Sequence, residues 1–196
     1  MARFEQMSDI DLRSLAAEVA EVLPRTYLGY SLGAANFDSV EISESVDVWL
    51  LSAEAVQTGS DLNSSIIPLN RWHHQLKVEG QALGYATSKS EDSESEPSRL
   101  TEISPDAQIA DAFNRAVAVI DRQHPQDEVQ VRLVVAPAYQ TWFLYCRGAA
   151  IDEVYVLVTP LALLPDLGQP LQLARLRADS FISQLKEMPF EMGFSE

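Results

Sequence analysis

Five residues near the N-terminus have the spacing of a catalytic serine. Gly29-Tyr30-Ser31-Leu32-Gly33 fits the pattern Gly-x-Ser-x-Gly, in which small neighbours allow a sharp turn that exposes the serine hydroxyl. Such a hydroxyl becomes a nucleophile when a histidine lies within hydrogen-bond reach. Ser31 is therefore the candidate catalytic residue of this sequence.

The segment GYSLGAA resembles the nucleophile elbow of α/β-hydrolases and thioesterases. The resemblance is confined to this segment and implies a small serine hydrolase or thioesterase-like enzyme. That family places a buried strand before the elbow and a helix after it. Here a helical pattern precedes Gly29, an alternating segment follows Gly33, and the last histidine, His124, is far from the end of the chain. These departures favour a glycine-flanked turn at Ser31 and leave the hydrolase as the alternative.

The remaining chemistry-bearing residues predict neither a metal site nor a cofactor. His73 and His74 are adjacent in a segment that alternates like a strand, so their side chains point to opposite faces and cannot share one ion. We expect His74 to point inward beside Trp72 and His73 to face water. Cys146 ends an apolar strand and is predicted to act as a small buried hydrophobe.

One basic patch is predicted near the C-terminus. A helical pattern extends from Pro170 to Glu187, and its polar face contains Arg175, Arg177 and Lys186. These are three of only 14 basic residues in the chain. We therefore expect them to form a possible binding patch.

The composition limits the partners that the chain can bind. The 196 residues include 14 Lys and Arg against 29 Asp and Glu, which gives a formal net charge of −15. Such a surface repels phosphate backbones and anionic headgroups, so we expect no nucleic acid and no membrane as partner. One cysteine, no visible signal peptide and no apolar stretch long enough to span a bilayer predict a cytoplasmic, soluble protein.

The pattern of helices and strands predicts an α+β fold. Amphipathic helices are expected over residues 8–23 and 104–124, with Ser8 and Ser104 as N-caps, and a β-hairpin within residues 71–88. Three strands in residues 128–159 have short connections, which predicts a C-terminal three-stranded antiparallel meander packed by amphipathic helices. Residues 88–98 are rich in Ser and acids and predict a flexible loop within one domain of residues 1–196. The alternative is two similar small domains, residues 1–87 and 100–196.

The sequence therefore favours a non-catalytic binding or assembly protein that acts through protein–protein contacts. The absence of a complete catalytic constellation, the acidity and the polar loop all favour this hypothesis over the hydrolase. A protein partner is expected, and a second copy of the chain is an alternative partner. No family is identified over the length of the sequence.

Overall fold

The computed structural model describes residues 2–3, 7–26, 29, 40–59, 61–90, 98–158 and 174–188. The helices in this part are α1 (Asp9–Val22), α2 (Ala53–Thr58), α3 (Leu62–Ser65), α4 (Ala107–Gln123) and α5 (Ala178–Glu187). The strands are β1 (Ala2–Arg3), β2 (Val40–Leu51), β3 (Ile66–Val78), β4 (Gln81–Lys89), β5 (Arg99–Ser104), β6 (Val129–Ala136), β7 (Thr141–Arg147), β8 (Asp152–Val158) and β9 (Ala174–Arg177). Short 3-10 turns follow α1 and β6 at Leu23–Arg25 and Pro137–Tyr139.

The chain divides into two compact units built from interleaved segments. The first unit contains Met1–Phe4, Trp49–Leu69 and Ala112–Glu196, and the second contains Glu5–Val48 and Asn70–Asp111. The boundaries fall inside β2, β3 and α4, so each of these elements contributes residues to both units.

In the first unit, neighbouring strands follow the order β2-β6-β7-β8-β9, and β1 lies parallel to β6. The pairs β6–β7, β7–β8 and β8–β9 are antiparallel. Apolar side chains from these strands pack against α2, α3 and α5, with Phe143 edge-on to Phe181 at a centroid distance of 4.8 Å. Helix α5 thus buries its apolar face because its apolar residues recur at helical spacing.

In the second unit, the strand order is β5-β4-β3-β2. Strands β3 and β4 form the predicted hairpin, with Val78 opposite Gln81. Its turn residues Glu79 and Gly80 have φ values of 51° and 77°, which match a tight hairpin turn. Helix α1 packs Leu15, Val19 and the following Leu23 against Leu76 and Ala86 of the hairpin; both Ser8 capping and the amphipathic pattern of α1 are as predicted.

The α+β class and the mostly antiparallel sheet are confirmed, but two helix starts differ from the prediction. Helix α4 begins at Ala107, because Asp106 rather than Ser104 accepts hydrogen bonds from the amides of Gln108 and Ile109. Helix α5 begins at Ala178, because the preceding residues are strand β9, paired with β8. The periodicity that suggested one long C-terminal helix is therefore divided between a strand and a shorter helix.

The acidic segment of residues 88–98 connects two antiparallel neighbours of the second unit. Residues 91–97 lie outside the described part of the chain. On either side of them, the hydroxyls of Ser90 and Ser98 lie 3.2 Å apart, and the Ser98 amide donates to Asp11 of α1. The ends of this segment therefore meet at one place on the second unit.

Candidate functional site

The Gly-x-Ser-x-Gly segment is described only at Gly29, so Ser31 and Gly33 lie outside the described residues. The Gly29 amide donates to Thr26 Oγ1 over 3.1 Å. A Cβ atom at residue 29 would lie 2.0 Å from the carbonyl oxygen of Leu23, which is shorter than any tolerated contact. A side chain at residue 29 would therefore clash with the backbone of the preceding turn, so glycine is required there.

The three predicted basic residues do not share one helix. Arg175 and Arg177 lie in strand β9, and only Lys186 lies in helix α5. Arg175 forms an ion pair with Glu153, and Arg177 Nε lies 3.3 Å from Asp179 Oδ1. Lys186 Nζ donates to the carbonyl oxygen of Gly59 over 3.2 Å. Both arginine charges are therefore balanced locally.

Glu153 is the centre of a polar cluster in the first unit. Arg175 contacts both of its carboxylate oxygens, with Nε 2.8 Å from Oε2. The Tyr155 hydroxyl lies 3.0 Å from Oε2 and 2.8 Å from Gln123 Oε1, and His124 Nε2 lies 3.4 Å from Oε2. These contacts join the end of α4 to strands β8 and β9, and we name these five residues the Glu153 cluster.

The electrostatics of the Glu153 cluster favour a structural role. Burial on its own would raise the pKa of Glu153, but hydrogen bonds from Arg175 and Tyr155 and the nearby guanidinium charge hold that pKa below its ordinary value. Burial and the adjacent Glu153 raise the pKa of Tyr155, and burial raises the pKa of Cys146 on the neighbouring strand. A buried thiol with a raised pKa is a poor nucleophile, which agrees with the hydrophobe interpretation of Cys146.

The two adjacent histidines belong to the core of the second unit. His74 is 0% exposed, and its Nδ1 and Nε2 each lie 2.8 Å from a serine hydroxyl, Ser45 on β2 and Ser88 on β4. The expectation that His73 faces water is wrong, because this residue is 1% exposed; its Nε2 lies 2.9 Å from Gln75 Nε2. Because neighbouring residues of β3 point to opposite faces and both are buried, the sheet is covered on both faces here. The alternation of polar and apolar residues in the sequence predicted one exposed face instead.

The distance between Ser45 and His74 suits a serine and its general base, but the surroundings do not. Burial lowers the pKa of His74 to about 4, so the ring accepts a proton poorly at neutral pH. Burial and the neighbouring His74 lower the pKa of His73 to about 3. The arrangement of Ser45, His74 and Ser88 instead joins three strands with hydrogen bonds that satisfy buried polar groups.

A different arrangement surrounds Arg132 on β6 of the first unit. Its guanidinium carbon lies 4.0 Å from the ring centroid of Trp49 on β2. Arg132 Nη1 donates to Asn63 Oδ1 over 3.1 Å, and Nη2 lies 3.5 Å from Gln130 Oε1. Arg132 Nε is buried with no hydrogen-bond acceptor among the described residues. We name Trp49, Asn63 and Arg132 the Arg132 site.

Arg132 differs from the other arginines whose side chains the structure describes. It is the half-buried one, whereas the others are exposed to solvent. Its side-chain partners in the described part of the chain are neutral, namely an indole ring and two amide oxygens. The acid nearest in sequence to Asn63 is Asp61, and its carboxylate accepts from the amide and hydroxyl of Ser64 instead. Arg132 thus presents a positive charge that is held in place but is not paired with a carboxylate of any described residue.

Sequence reasoning missed this site because its residues are far apart in the chain. Residues 49, 63 and 132 come from β2, a short helix and β6, and no local spacing relates them. The available signal was a single arginine inside EVQVRLVVA, where Gln130 and Arg132 alternate with apolar residues. Alternation predicts the face on which Arg132 lies, but not the tryptophan that covers it.

No group of three or more His, Cys, Asp or Glu side chains in the described part of the chain could hold a metal ion. Among the helices of the same part, none combines the length and the apolar character needed to cross a membrane.

Comparison with known proteins finds no family model, curated protein or solved structure that matches this chain.

Proposed function

We propose that this chain is a non-catalytic binding or assembly protein that acts through protein–protein contacts, with the Arg132 site in the contact surface. In this proposal the C-terminal strands form a three-stranded meander, packed by amphipathic helices, that holds the site rigid. Rigid strands are suitable supports because a binding side chain on them keeps its orientation before the partner arrives.

The supporting observation is the half-buried guanidinium of Arg132, which is stacked on Trp49 and has only neutral partners among the described residues. Partial burial removes water from a charged group, and a neutral amide repays less of that cost than a carboxylate does. The chain contains 29 acids and 14 Lys and Arg, so acids that could pair with an arginine are abundant in it. Tryptophan and arginine are also the residues most enriched at binding hot spots.

The net charge supports a partner with a basic surface. A formal charge of −15 attracts such a surface over long distance and repels nucleic acid and anionic lipid. We therefore propose a cytoplasmic protein partner, with a second copy of this chain as the alternative. A partner that is basic overall can still present one acid at the point of contact with Arg132.

The serine hydrolase alternative depends on Ser31, which lies outside the described residues. A fluorophosphonate probe labels an activated serine, and Ser31→Ala provides its control. Labelling of the wild type that disappears in Ser31→Ala would establish the hydrolase in place of the non-catalytic binder.

Capture of partners on three immobilised proteins tests the proposed function. The proteins are the wild type, Arg132→Gln and the matched control Arg177→Gln, which removes an exposed arginine that is paired with Asp179. We expect one or more proteins from native lysate to bind the wild type and the control, and recovery on Arg132→Gln to fall by about tenfold or more. Equal recovery on Arg132→Gln, or no partner and no self-association of the wild type, would refute the proposal.

A further inference from the structure

The charge balance around Arg132 leaves room for an acid from outside the described chain. Asn63 and Gln130 supply amide oxygens, and Trp49 supplies the electron-rich face of its ring. Each of these groups stabilises a cation without cancelling its charge. An added carboxylate at this position would therefore meet an intact positive charge.

The contacts of the Arg132 guanidinium determine which of its edges a carboxylate could approach. Trp49 covers one face of the guanidinium, and Nε is buried, so approach along the edge that contains Nε is blocked. The opposite edge contains Nη1 and Nη2, each with two protons, of which Asn63 uses one and Gln130 takes another only over 3.5 Å. One N–H group therefore remains on each of Nη1 and Nη2, which suits an acceptor with two oxygens such as a carboxylate.

The surrounding charge favours a carboxylate over a phosphate group. The chain has a net charge of −15, and repulsion of a dianion by this field exceeds repulsion of a monoanion. Asp61 and Arg147 lie close enough to influence each other, because Arg147 contributes to lowering the pKa of Asp61. Arg147 therefore lies near an acid, which reduces what it could add to the attraction for a doubly charged ligand.

We propose that the Arg132 site binds one carboxylate group of a protein partner, held end-on by Nη1 and Nη2 while Trp49 packs beside it. This inference rests on the proposed function and names the chemical group that the partner contributes. The carboxylate can belong to an Asp or Glu side chain or to a chain terminus, since the two present the same flat pair of oxygens.

Short peptides distinguish these sources. One peptide contains a single Glu and has both termini blocked, a second replaces that Glu by Gln and has a free C-terminal carboxylate, and a third has Gln and blocked termini. Each peptide, and sodium acetate and inorganic phosphate as small probes, is titrated into the full-length protein at constant ionic strength. The readout is the indole N–H signal of Trp49 in the nuclear magnetic resonance spectrum, assigned with Trp49→Phe.

We expect saturable shifts of the Trp49 signal with at least one carboxylate peptide and with acetate, and binding of the fully neutral peptide about tenfold weaker or absent. Arg132→Gln is expected to lose the response, whereas Arg177→Gln keeps it. Equal binding of the neutral peptide, tighter binding of phosphate than of acetate, or an unchanged response in Arg132→Gln would overturn the inference.

The two proposals fail separately. Partner capture that depends on Arg132 without any carboxylate response would overturn the carboxylate inference and support the proposed function. A carboxylate response without a captured partner or self-association would support the site and refute the proposed function.

Discussion

Arg132 on β6 and Arg175 on β9 both belong to the first unit, yet the groups that surround their guanidinium charges differ. Arg175 is 45% exposed at its side chain and is matched by both oxygens of Glu153. Arg132 is half-buried and is surrounded by an indole and two amides. Within the described part of the chain, the more solvated Arg175 is paired with a carboxylate and the less solvated Arg132 is not.

This difference separates a structural arginine from a candidate binding arginine. The pair of Glu153 and Arg175 is complete within the chain, so it can hold β9 beside β8 without help from outside. The Arg132 site is oriented by neutral groups and gains its carboxylate, in our proposal, only from a partner. Substitutions that remove the carboxylate beside Arg175, or add one beside Arg132, therefore test the distinction.

The largest expected effect is a pH dependence of the free energy of unfolding that comes from the buried histidines. The two arginines are therefore best compared at a pH where these histidines do not titrate. Burial lowers the pKa of His73 to about 3 and of His74 to about 4, from an ordinary value of 6.5. Below pH 6.5 the unfolded chain binds protons that the folded chain does not, so the free energy of unfolding falls. The expected slope is up to about 1.4 kcal/mol per pH unit for each histidine until its folded pKa is reached.

Urea denaturation at about pH 7.5, 6 and 5 measures this slope, because these values lie on both sides of the ordinary histidine pKa. His73→Phe is expected to remove about half of it, because His74 still titrates. The Glu153 cluster behaves differently, since the pKa of Glu153 lies below its ordinary value of 4.5 and its contribution is lost only below that pH. A free energy of unfolding that stays constant between pH 7.5 and 5 would contradict this prediction.

The next effect is the loss of the acid from the Glu153 cluster. Glu153→Gln leaves Arg175 without its carboxylate and removes the strong acceptor of Tyr155 and His124. We expect the free energy of unfolding at pH 7.5 to fall by about 1–2 kcal/mol, a value reduced by the solvent around Arg175. Partner capture should be unaffected. A loss of capture without a loss of stability would reverse the roles that we assign to the two arginines.

The opposite substitution gives the Arg132 site an acid of its own. Asn63 Oδ1 lies 3.1 Å from Arg132 Nη1, so Asn63→Asp places a carboxylate at that position with little change of shape. We expect the free energy of unfolding to rise by about 0.5–1 kcal/mol. Gln126→Glu is the matched control, because it adds the same charge at an exposed residue. A decrease in stability in Asn63→Asp alone would mean that Arg132 gains nothing from an acid.

The smallest effect is expected at the exposed pair of Arg177 and Asp179. Their side chains are 79% and 67% exposed, and solvent screens such pairs strongly. Asp179 also accepts from the amide of Ser180 at the start of α5, so Arg177→Gln is the cleaner substitution. Chemical denaturation of Arg177→Gln should show no measurable change in the free energy of unfolding relative to wild type. A measurable loss would mean that ion pairs on β9 stabilise the fold even when exposed.

Local patterns predicted much of the fold. The apolar stripe and Ser8 cap of α1, the hairpin of β3 and β4 and the α+β class follow from residue spacing and turn chemistry. The start of α5 did not, because Arg175 is held in strand β9 by Glu153 on a neighbouring strand, and helical periodicity contains no information about that contact. Tertiary contacts of this kind override local propensity.

The candidate site was less predictable than the fold. The acidity, the lone buried Cys146 and the required Gly29 could be anticipated from residue types. Burial of His73 could not, because alternation assigns one face of a strand to water unless a second layer covers it. The contact of Arg132 with Trp49 depends on which strands are neighbours in the sheet, and a single sequence does not determine that order.

The most direct test of the account is partner recovery on Asn63→Asp relative to wild type, with Gln126→Glu as the control for added charge. If Arg132 takes a carboxylate from a partner, an internal acid competes with it, and recovery should fall by about tenfold or more on Asn63→Asp while the control stays near the wild-type level. Equal recovery on all three proteins, with Asn63→Asp folded and at least as stable as wild type, would contradict the claim that Arg132 is kept for a partner's acid.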